Sequence, residues 1–355
     1  MPDKQELRCL IAAGGTVGHV APSLAVAEAL IERGVSVTFA GSPGRVEARL
    51  VPDAGYELDT FRVSGLPRRP GIAQARALGR ALAAPGACKE ILRRRSPDVV
   101  LGGGGYVAGP MVYAASRLGI PAALMEADAH VGLANRLAAP FAERVFLSFP
   151  VEGKGRPKYK VTGRPIPARS RAVPRAAGRE LFGLPAEGPV LVVFGGSLGA
   201  LSLNELAVES FGQSGPAVLH LSGERDFERL RGRVRRDDYM LLPFTDDFGA
   251  AIGAGDLVLA RSGGSVWELA AAGRPAILVP YPFATADHQT KNAAFFERAG
   301  GAISVPETEL GRVPDLARSL LDDPDRLTEM SEAMLRVARP DAADEIAQEL
   351  IALAS

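Results

Sequence analysis

Cys9-Leu10-Ile11-Ala12-Ala13-Gly14-Gly15-Thr16-Val17-Gly18-His19 is an apolar, strand-like run that breaks on a glycine turn. Half a chain later, Val190-Leu191-Val192-Val193-Phe194-Gly195-Gly196-Ser197-Leu198-Gly199-Ala200 repeats the design. A glycine-rich strand-to-helix turn lets backbone approach a ligand closely and aims N–H groups and the positive helix end at an anion. Two copies predict two similar α/β halves. They differ at one chemically active position, His19 in the first against Ala200 in the second.

Outward from these turns, strand signals fall at 35–40, 98–101, 120–125 and 144–148, then at 216–221, 239–242, 256–260 and 276–280, with helical patterns between most of them. This alternation specifies doubly wound parallel sheets with helices on both faces. The first helix is expected to begin at Pro22, to carry Leu24, Ala27, Leu30 and Ile31 on one face, and to stop at Gly34. Residues 152–175, dense in Gly, Pro and Arg, mark the change of domain. The expected division is an N-terminal domain over 1–163, a C-terminal domain over 164–340, and a terminal amphipathic helix over 341–355 that is free to pack back on the first domain.

A chain of 355 residues fits two domains. Its 47% hydrophobic and 23% charged content is that of a soluble globular protein. Forty-one basic residues balance forty-one acidic ones, which argues against nucleic acid as a partner. Cys9 and Cys88 read as buried thiols rather than a disulfide framework. No apolar stretch approaches the roughly 18 residues of a spanning helix, and the N-terminal apolar run is shorter than a signal peptide's; a cytoplasmic protein is expected. One segment is odd: residues 62–95 hold nine Lys or Arg against the single acid Glu90. It is either a solvated helix face or a docking surface for an anionic membrane, where each basic residue contributes about 1 kcal/mol.

The four histidines, His19, His130, His220 and His288, lack metal-ligand spacing. Asp323-Pro324-Asp325 reads as an N-cap turn between helices, so neither metal nor cofactor is expected. His19, beside the first turn, is either a general base near neutral pH or a histidine bonded to loop backbone. Gly102-Gly103-Gly104-Gly105-Tyr106 follows a strand at the carboxyl edge, where open α/β sheets bind ligands. Gly104, Gly105 and Tyr106 there either admit a ligand close to backbone or form a tight turn needing positive φ. In the second half, Gly263, Gly264 and Ser265 open a helix and offer N–H groups to a diphosphate. Glu268, about one turn in, either accepts from vicinal hydroxyls, as acids do for ribose, or caps the helix.

Taken in order, residues 14–30, 104–110, 132–138, 194–200, 261–282 and 286–293 resemble the GT-B glycosyltransferases of the family 28 type. Within them the likeness is to the N-acetylglucosaminyltransferases that convert lipid I to lipid II. The resemblance implies two Rossmann-like parallel-sheet domains facing across a cleft. It implies inverting transfer of GlcNAc from UDP-GlcNAc to the C4 hydroxyl of the muramoyl sugar of lipid I in peptidoglycan synthesis. On this likeness the catalytic candidates are His19, matching the family's proposed base, and Glu126, matching the acid of its His-Glu-Gln-Asn stretch. Thr16, Val17 and Gly18 fall on the sugar and acceptor side, and Ser197 near the donor. Thr245 falls at the uracil and Glu268 at the ribose. Gln289, next to His288, falls on the glutamine contacting GlcNAc.

Three positions depart from the family pattern. Val17 stands where glycine is usual, Asp128 where the sugar-contacting asparagine is usual, and Pro167 where arginine is usual, with Arg164 as the neighbouring charge. In the implied reaction negative charge builds on departing UDP, N–H groups of the second domain stabilise it, and the domains close about a hinge. The implied location is peripheral, at the cytoplasmic face of the cell membrane, with cell-wall assembly proteins as partners and a part in cell shape and division. Two other readings stay open: another UDP-sugar enzyme of this architecture, a glycolipid glycosyltransferase or a UDP-GlcNAc 2-epimerase, and a non-catalytic nucleotide-sugar-binding scaffold.

Overall fold

The computed structural model describes residues 6–63, 72–196 and 199–355, and within 72–82 the backbone alone. The chain divides into two compact units, Met1–Pro167 with Pro340–Ser355, and Ala168–Arg339.

In the first unit the strands are β1 (Arg8–Ala13), β2 (Ser36–Gly41), β3 (Leu58–Thr60), β4 (Val99–Gly104), β5 (Ala122–Glu126), β6 (Arg144–Leu147) and β7 (Tyr159–Val161). They form one parallel sheet in the order β3-β2-β1-β4-β5-β6-β7. The helices between are α1 (Val17–Ile31), α2 (Glu47–Asp53), α3 (Ile72–Arg95), α4 (Ala108–Arg117) and α5 (Leu133–Ala138). Central strands read as unbroken apolar runs because both faces are covered: Cys9 to Ala13 are all buried.

The second unit repeats the plan. Its strands β8 (Val190–Phe194), β9 (Ala217–Leu221), β10 (Tyr239–Leu242), β11 (Leu257–Ala260), β12 (Ala276–Leu278) and β13 (Ala302–Ser304) pair in parallel as β10-β9-β8-β11-β12-β13. Around them run α6 (Arg175–Leu181), α7 (Leu201–Phe211), α8 (Glu224–Leu230), α9 (Phe248–Ala254), α10 (Val266–Ala271), α11 (His288–Arg298), α12 (Val313–Leu321) and α13 (Pro324–Val337). A last helix, α14 (Ala342–Ala354), belongs to the first unit. Its Ile346, Ala347 and Leu350 join the core of α1 and β1, and Asp344 pairs with Arg33 at 2.7 Å.

Helix α1 differs from its sequence expectation. It begins at Val17 rather than Pro22, so His19 sits inside the first turn. Thr16 in extended conformation starts it, and the Thr16 carbonyl accepts the N–H groups of both His19 and Val20. Pro22 has no N–H to give the carbonyl four residues back. That carbonyl, on Gly18, accepts from Arg164 Nη2 at 2.7 Å instead. Gly34 ends the helix in a Schellman turn at φ 74°, with Val35 N–H bonded to Leu30 and its own N–H to Ile31.

Candidate active site

In the first unit the candidate residues gather at the carboxyl ends of β1, β4 and β5. His19 is half-buried. Its Nδ1 lies 3.2 Å from Thr16 Oγ1, and the Gly14 carbonyl faces the ring and favours its protonated form. Burial, and then the Arg164 guanidinium, hold the imidazole below its ordinary pKa, while Asp128, the Gly14 carbonyl and Glu47 pull the other way. Together these groups bias the ring toward its neutral form.

The glycines of β4 are explained by this histidine and its turn. A Cβ on Gly104, at φ 111°, would lie 2.5 Å from His19 Cδ2, and one on Gly105, at φ 74°, would run into the Gly14 carbonyl. One on Gly103 would collide with Ser23 Oγ, which donates to the His19 carbonyl at 2.9 Å. Positive φ and close protein packing are thus both requirements at these glycines. The Tyr106 ring covers Gly15, whose added Cβ would stand 3.3 Å from it. Thr16, Val17 and Gly18 lie exposed at the start of α1.

Glu126 is engaged by the loop that follows it. It is 6% exposed, and its carboxylate accepts from Gly132 N and Asn135 Nδ2 at 2.9 Å each and from Asp128 N at 3.4 Å. Burial raises its pKa, against the pull of those hydrogen bonds. Glu126 therefore ties down the loop between β5 and α5, and half-buried Asp128 is one of two acids, with Glu47, whose charge reaches His19. Arg164 falls in the first unit, not the second, bound to the Gly18 carbonyl beside that histidine.

Sequence reading missed Glu47. It is fully buried at the start of α2, and its oxygens accept from Gly15 N and from Ser42 N at 3.0 Å each. The signal was an acid just beyond β2, the region where dinucleotide folds hold a ribose-binding carboxylate; here it turns inward onto the glycine turn.

In the second unit Thr245 follows β10, residues 261–265 follow β11, and His288 and Gln289 open α11. Ser262 Oγ donates to the Gln289 carbonyl at 2.8 Å, and Asn292 Nδ2 donates to the Ser262 carbonyl at 3.1 Å, so the loops after β11 and β12 are joined. Gln289 Oε1 accepts the Tyr281 N–H at 2.9 Å, and His288 Nδ1 donates to the Thr285 carbonyl at 2.9 Å. Just before them Ala286 and Asp287 adopt φ 54° and 52°, backbone strain of the kind that gathers at binding loops. Thr290 Oγ1 to Asp287 at 2.6 Å and Lys291 Nζ to the Ala286 carbonyl at 2.9 Å hold it. Gly264, Ser265 and Glu268 are half-buried at the start of α10. Ser265 makes no side-chain cap bond, so no capping box forms with Glu268. Ser197 lies outside the described residues.

Behind the second turn, Arg261 is 8% exposed, paired with Glu307 and donating to Ser202 Oγ at 3.0 Å. His220 is structural: fully buried, it bonds Tyr239 OH at 2.8 Å and Asn204 Oδ1 at 3.0 Å, and burial pushes its pKa down to about 3. Among the described residues no group of three or more His, Cys, Asp or Glu is placed to hold a metal ion, and no helix is long and apolar enough to cross a membrane. In the basic segment Arg94 pairs with Asp59 at 2.8 Å, and Arg95 pairs with Asp59 at 2.7 Å and with Glu57. Those two charges are neutralised locally. Arg68 and Arg69 lie outside the described residues, as do the side chains of Arg76 and Arg80.

Residues 9–147 match the glycosyltransferase family 28 N-terminal domain and residues 190–346 its C-terminal domain. Three relatives share the name UDP-N-acetylglucosamine--N-acetylmuramyl-(pentapeptide) pyrophosphoryl-undecaprenol N-acetylglucosamine transferase. The one from Halorhodospira halophila is 43% identical over 95% of this chain and 96% of its own length. That from Acidithiobacillus ferrooxidans is 45% identical over 95% of each. That from Mycobacterium bovis is 39% identical over 100% of this chain and 91% of its own. A crystal structure of Acinetobacter baumannii MurG superposes with a TM-score of 0.78 at 29% identity, covering 98% and 99% of the two chains. A UDP-N-acetylglucosamine 2-epimerase superposes at 0.64 with 15% identity, covering 98% of this chain and 96% of its own, a likeness of fold alone. Both halves of the chain, each built on its own parallel sheet, thus carry one signature, and the chain belongs to glycosyltransferase family 28.

Proposed function

We propose that this protein transfers GlcNAc from UDP-GlcNAc to the C4 hydroxyl of the undecaprenyl-diphospho-N-acetylmuramoyl-pentapeptide, lipid I, giving lipid II for peptidoglycan. One observation carries the reading: relatives 39–45% identical over nearly the whole chain bear the name of that transferase. The epimerase likeness, at 15% identity, speaks to fold only. In the proposed reaction His19, neutral and half-buried, takes the proton of the attacking hydroxyl, a role worth about 10²–10⁴ in rate. The anomeric centre passes through an oxocarbenium-like state as charge moves onto UDP. The loops after β8 and β11, with Gly264, Ser265, Glu268 and Gln289, are proposed to hold the donor, backbone N–H groups facing the diphosphate. Thr245 is proposed at the uracil, and Thr16, Val17, Gly18, Tyr106, Asp128 and Arg164 at the acceptor side.

The relatives' name includes an undecaprenol carrier, so the acceptor is anchored in a bilayer and the enzyme must reach it there. We assign that contact to the basic segment over 62–95, at the cytoplasmic face, less the paired Arg94 and Arg95. A part in cell shape and division, and contacts with wall-assembly proteins, follow from the same reading. Two experiments test it. UDP release should require lipid I; turnover of UDP-GlcNAc without lipid would favour the epimerase reading, and binding without turnover the scaffold. In vesicle co-sedimentation, replacing Arg68 and Arg69 by Glu should weaken binding to anionic lipid by at least about 2 kcal/mol and leave neutral vesicles unaffected. Equal binding by the variant would remove the segment from the interface.

A further inference from the structure

Among the described residues Glu47 is the buried carboxylate bonded to the first glycine turn, and three positions are shaped around it. A Cβ on Gly14 would fall on its carboxylate, and one on Gly41 would stand 2.7 Å from its Cγ; Ser42 donates its backbone N–H to Oε1 at 3.0 Å. The other oxygen accepts the Gly15 N–H at 3.0 Å. That N–H and the Gly14 carbonyl belong to the same peptide group, and the Gly14 carbonyl faces the His19 ring and favours its protonated form. The nitrogen on that side is Nδ1: it and the Gly14 carbonyl both bound the space over Gly105, and the same Nδ1 lies 3.2 Å from the hydroxyl of Thr16.

We propose that Glu47 is a positioning residue for His19, acting through the Gly14–Gly15 peptide: carboxylate to N–H, carbonyl to Nδ1–H, leaving Nε2 as the basic nitrogen. This deepens the proposed function and rests on His19 being the base. A carboxylate accepting one end of a peptide group polarises it and strengthens what its carbonyl accepts. With Nδ1 bearing the proton, the tautomer is fixed and the Nε2 lone pair is available. Serine hydrolases give this task to an acid touching the imidazole directly; here a peptide is interposed, and the carboxylate stays out of water beneath the turn. Negative charge at Glu47 also favours the imidazolium that forms when the hydroxyl proton arrives. The other groups facing His19 are Asp128, which acts in the same direction, and Arg164 and the start of α1, which oppose it. The same bond has a second consequence. The Gly15 N–H is already taken by an anion, so it is not available to a phosphate.

The test uses the full chain with histidine labelled at Cε1. The His19 resonance, assigned by its loss in His19→Ala, is followed by NMR against pH in the native protein and in Glu47→Gln. Lipid I-dependent UDP release is measured on the same samples. In Glu47→Gln the His19 midpoint should move to lower pH and the kcat plateau fall on the order of tenfold, as when an imidazole loses its carboxylate partner; donor KM should hold. An unmoved midpoint overturns the proposal even if turnover falls, since Glu47 would then be structural only. A moved midpoint with full turnover in both Glu47→Gln and His19→Ala overturns the base reading and leaves the Glu47–His19 link standing. If Glu47→Gln fails to fold, Glu47→Asp carries the test. Withdrawing the carboxylate by one methylene must shift the midpoint the same way by less, and a native midpoint overturns the link.

Discussion

Gly15 and Gly196 occupy matching places in the two turns and share a φ of 91°, yet the structure treats them in opposite ways. Above Gly15 sits the Tyr106 ring, and its N–H is bonded to a buried carboxylate. Around Gly196 an added Cβ would meet nothing within 4 Å among the described residues. The helices differ as well. Helix α1 starts at Val17 and winds His19 into its first turn, whereas α7 starts at Leu201, after Ala200 in extended conformation. Relative to the glycines the first helix begins about one turn earlier. Behind the first turn lies Glu47; behind the second lies an Arg261–Glu307 pair reaching Ser202. The same glycine pattern thus lies against a buried carboxylate in one unit and near a buried arginine–glutamate pair in the other, and buried charge sets the difference.

That contrast is most directly broken at His19. His19→Ala should lower kcat by about 10²–10⁴ with UDP-GlcNAc affinity, read by calorimetry, unchanged; near-native turnover would retire the assignment. A smaller effect is expected in the second unit. Glu268→Gln keeps shape and loses charge, so donor KM should rise about tenfold with kcat little altered, and an unchanged KM would count against ribose contact. Smallest is the pH effect. The base must be neutral, and burial and Arg164 hold the His19 pKa below its ordinary value. The acid limb of kcat/KM should therefore lie below the ordinary histidine range, with activity lost as pH falls through the folded pKa. His220, pushed to about 3 by burial, stays neutral there and adds nothing to the limb. A limb at or above the ordinary histidine range would mean that another group is titrating.

How much of this was legible depended on burial. The central strands are runs such as Val190 to Phe194, apolar because both faces are covered, and they were readable. The three missed strands, Leu58–Thr60, Tyr159–Val161 and Ala302–Ser304, are three-residue edge strands. Half-exposed and short, they carry no periodic signal. Pro22 misled the placement of the first helix, because its lost hydrogen bond is replaced by a guanidinium 142 positions away in the chain (164 − 22). Glu126 was readable as a site acid by resemblance, but its bonds to Gly132 and Asn135 show a carboxylate engaged in loop structure.

Sequence alone determined the two-sheet architecture, the family and the identity of the histidine, because apolar runs, glycine turns and ordered motifs are local and survive without knowledge of what they touch. Tertiary structure decided what surrounds that histidine. Glu47, Asp128 and Arg164 come from distant parts of the chain, and electrostatics depends on distance in space and on exclusion of water, neither of which a linear pattern records.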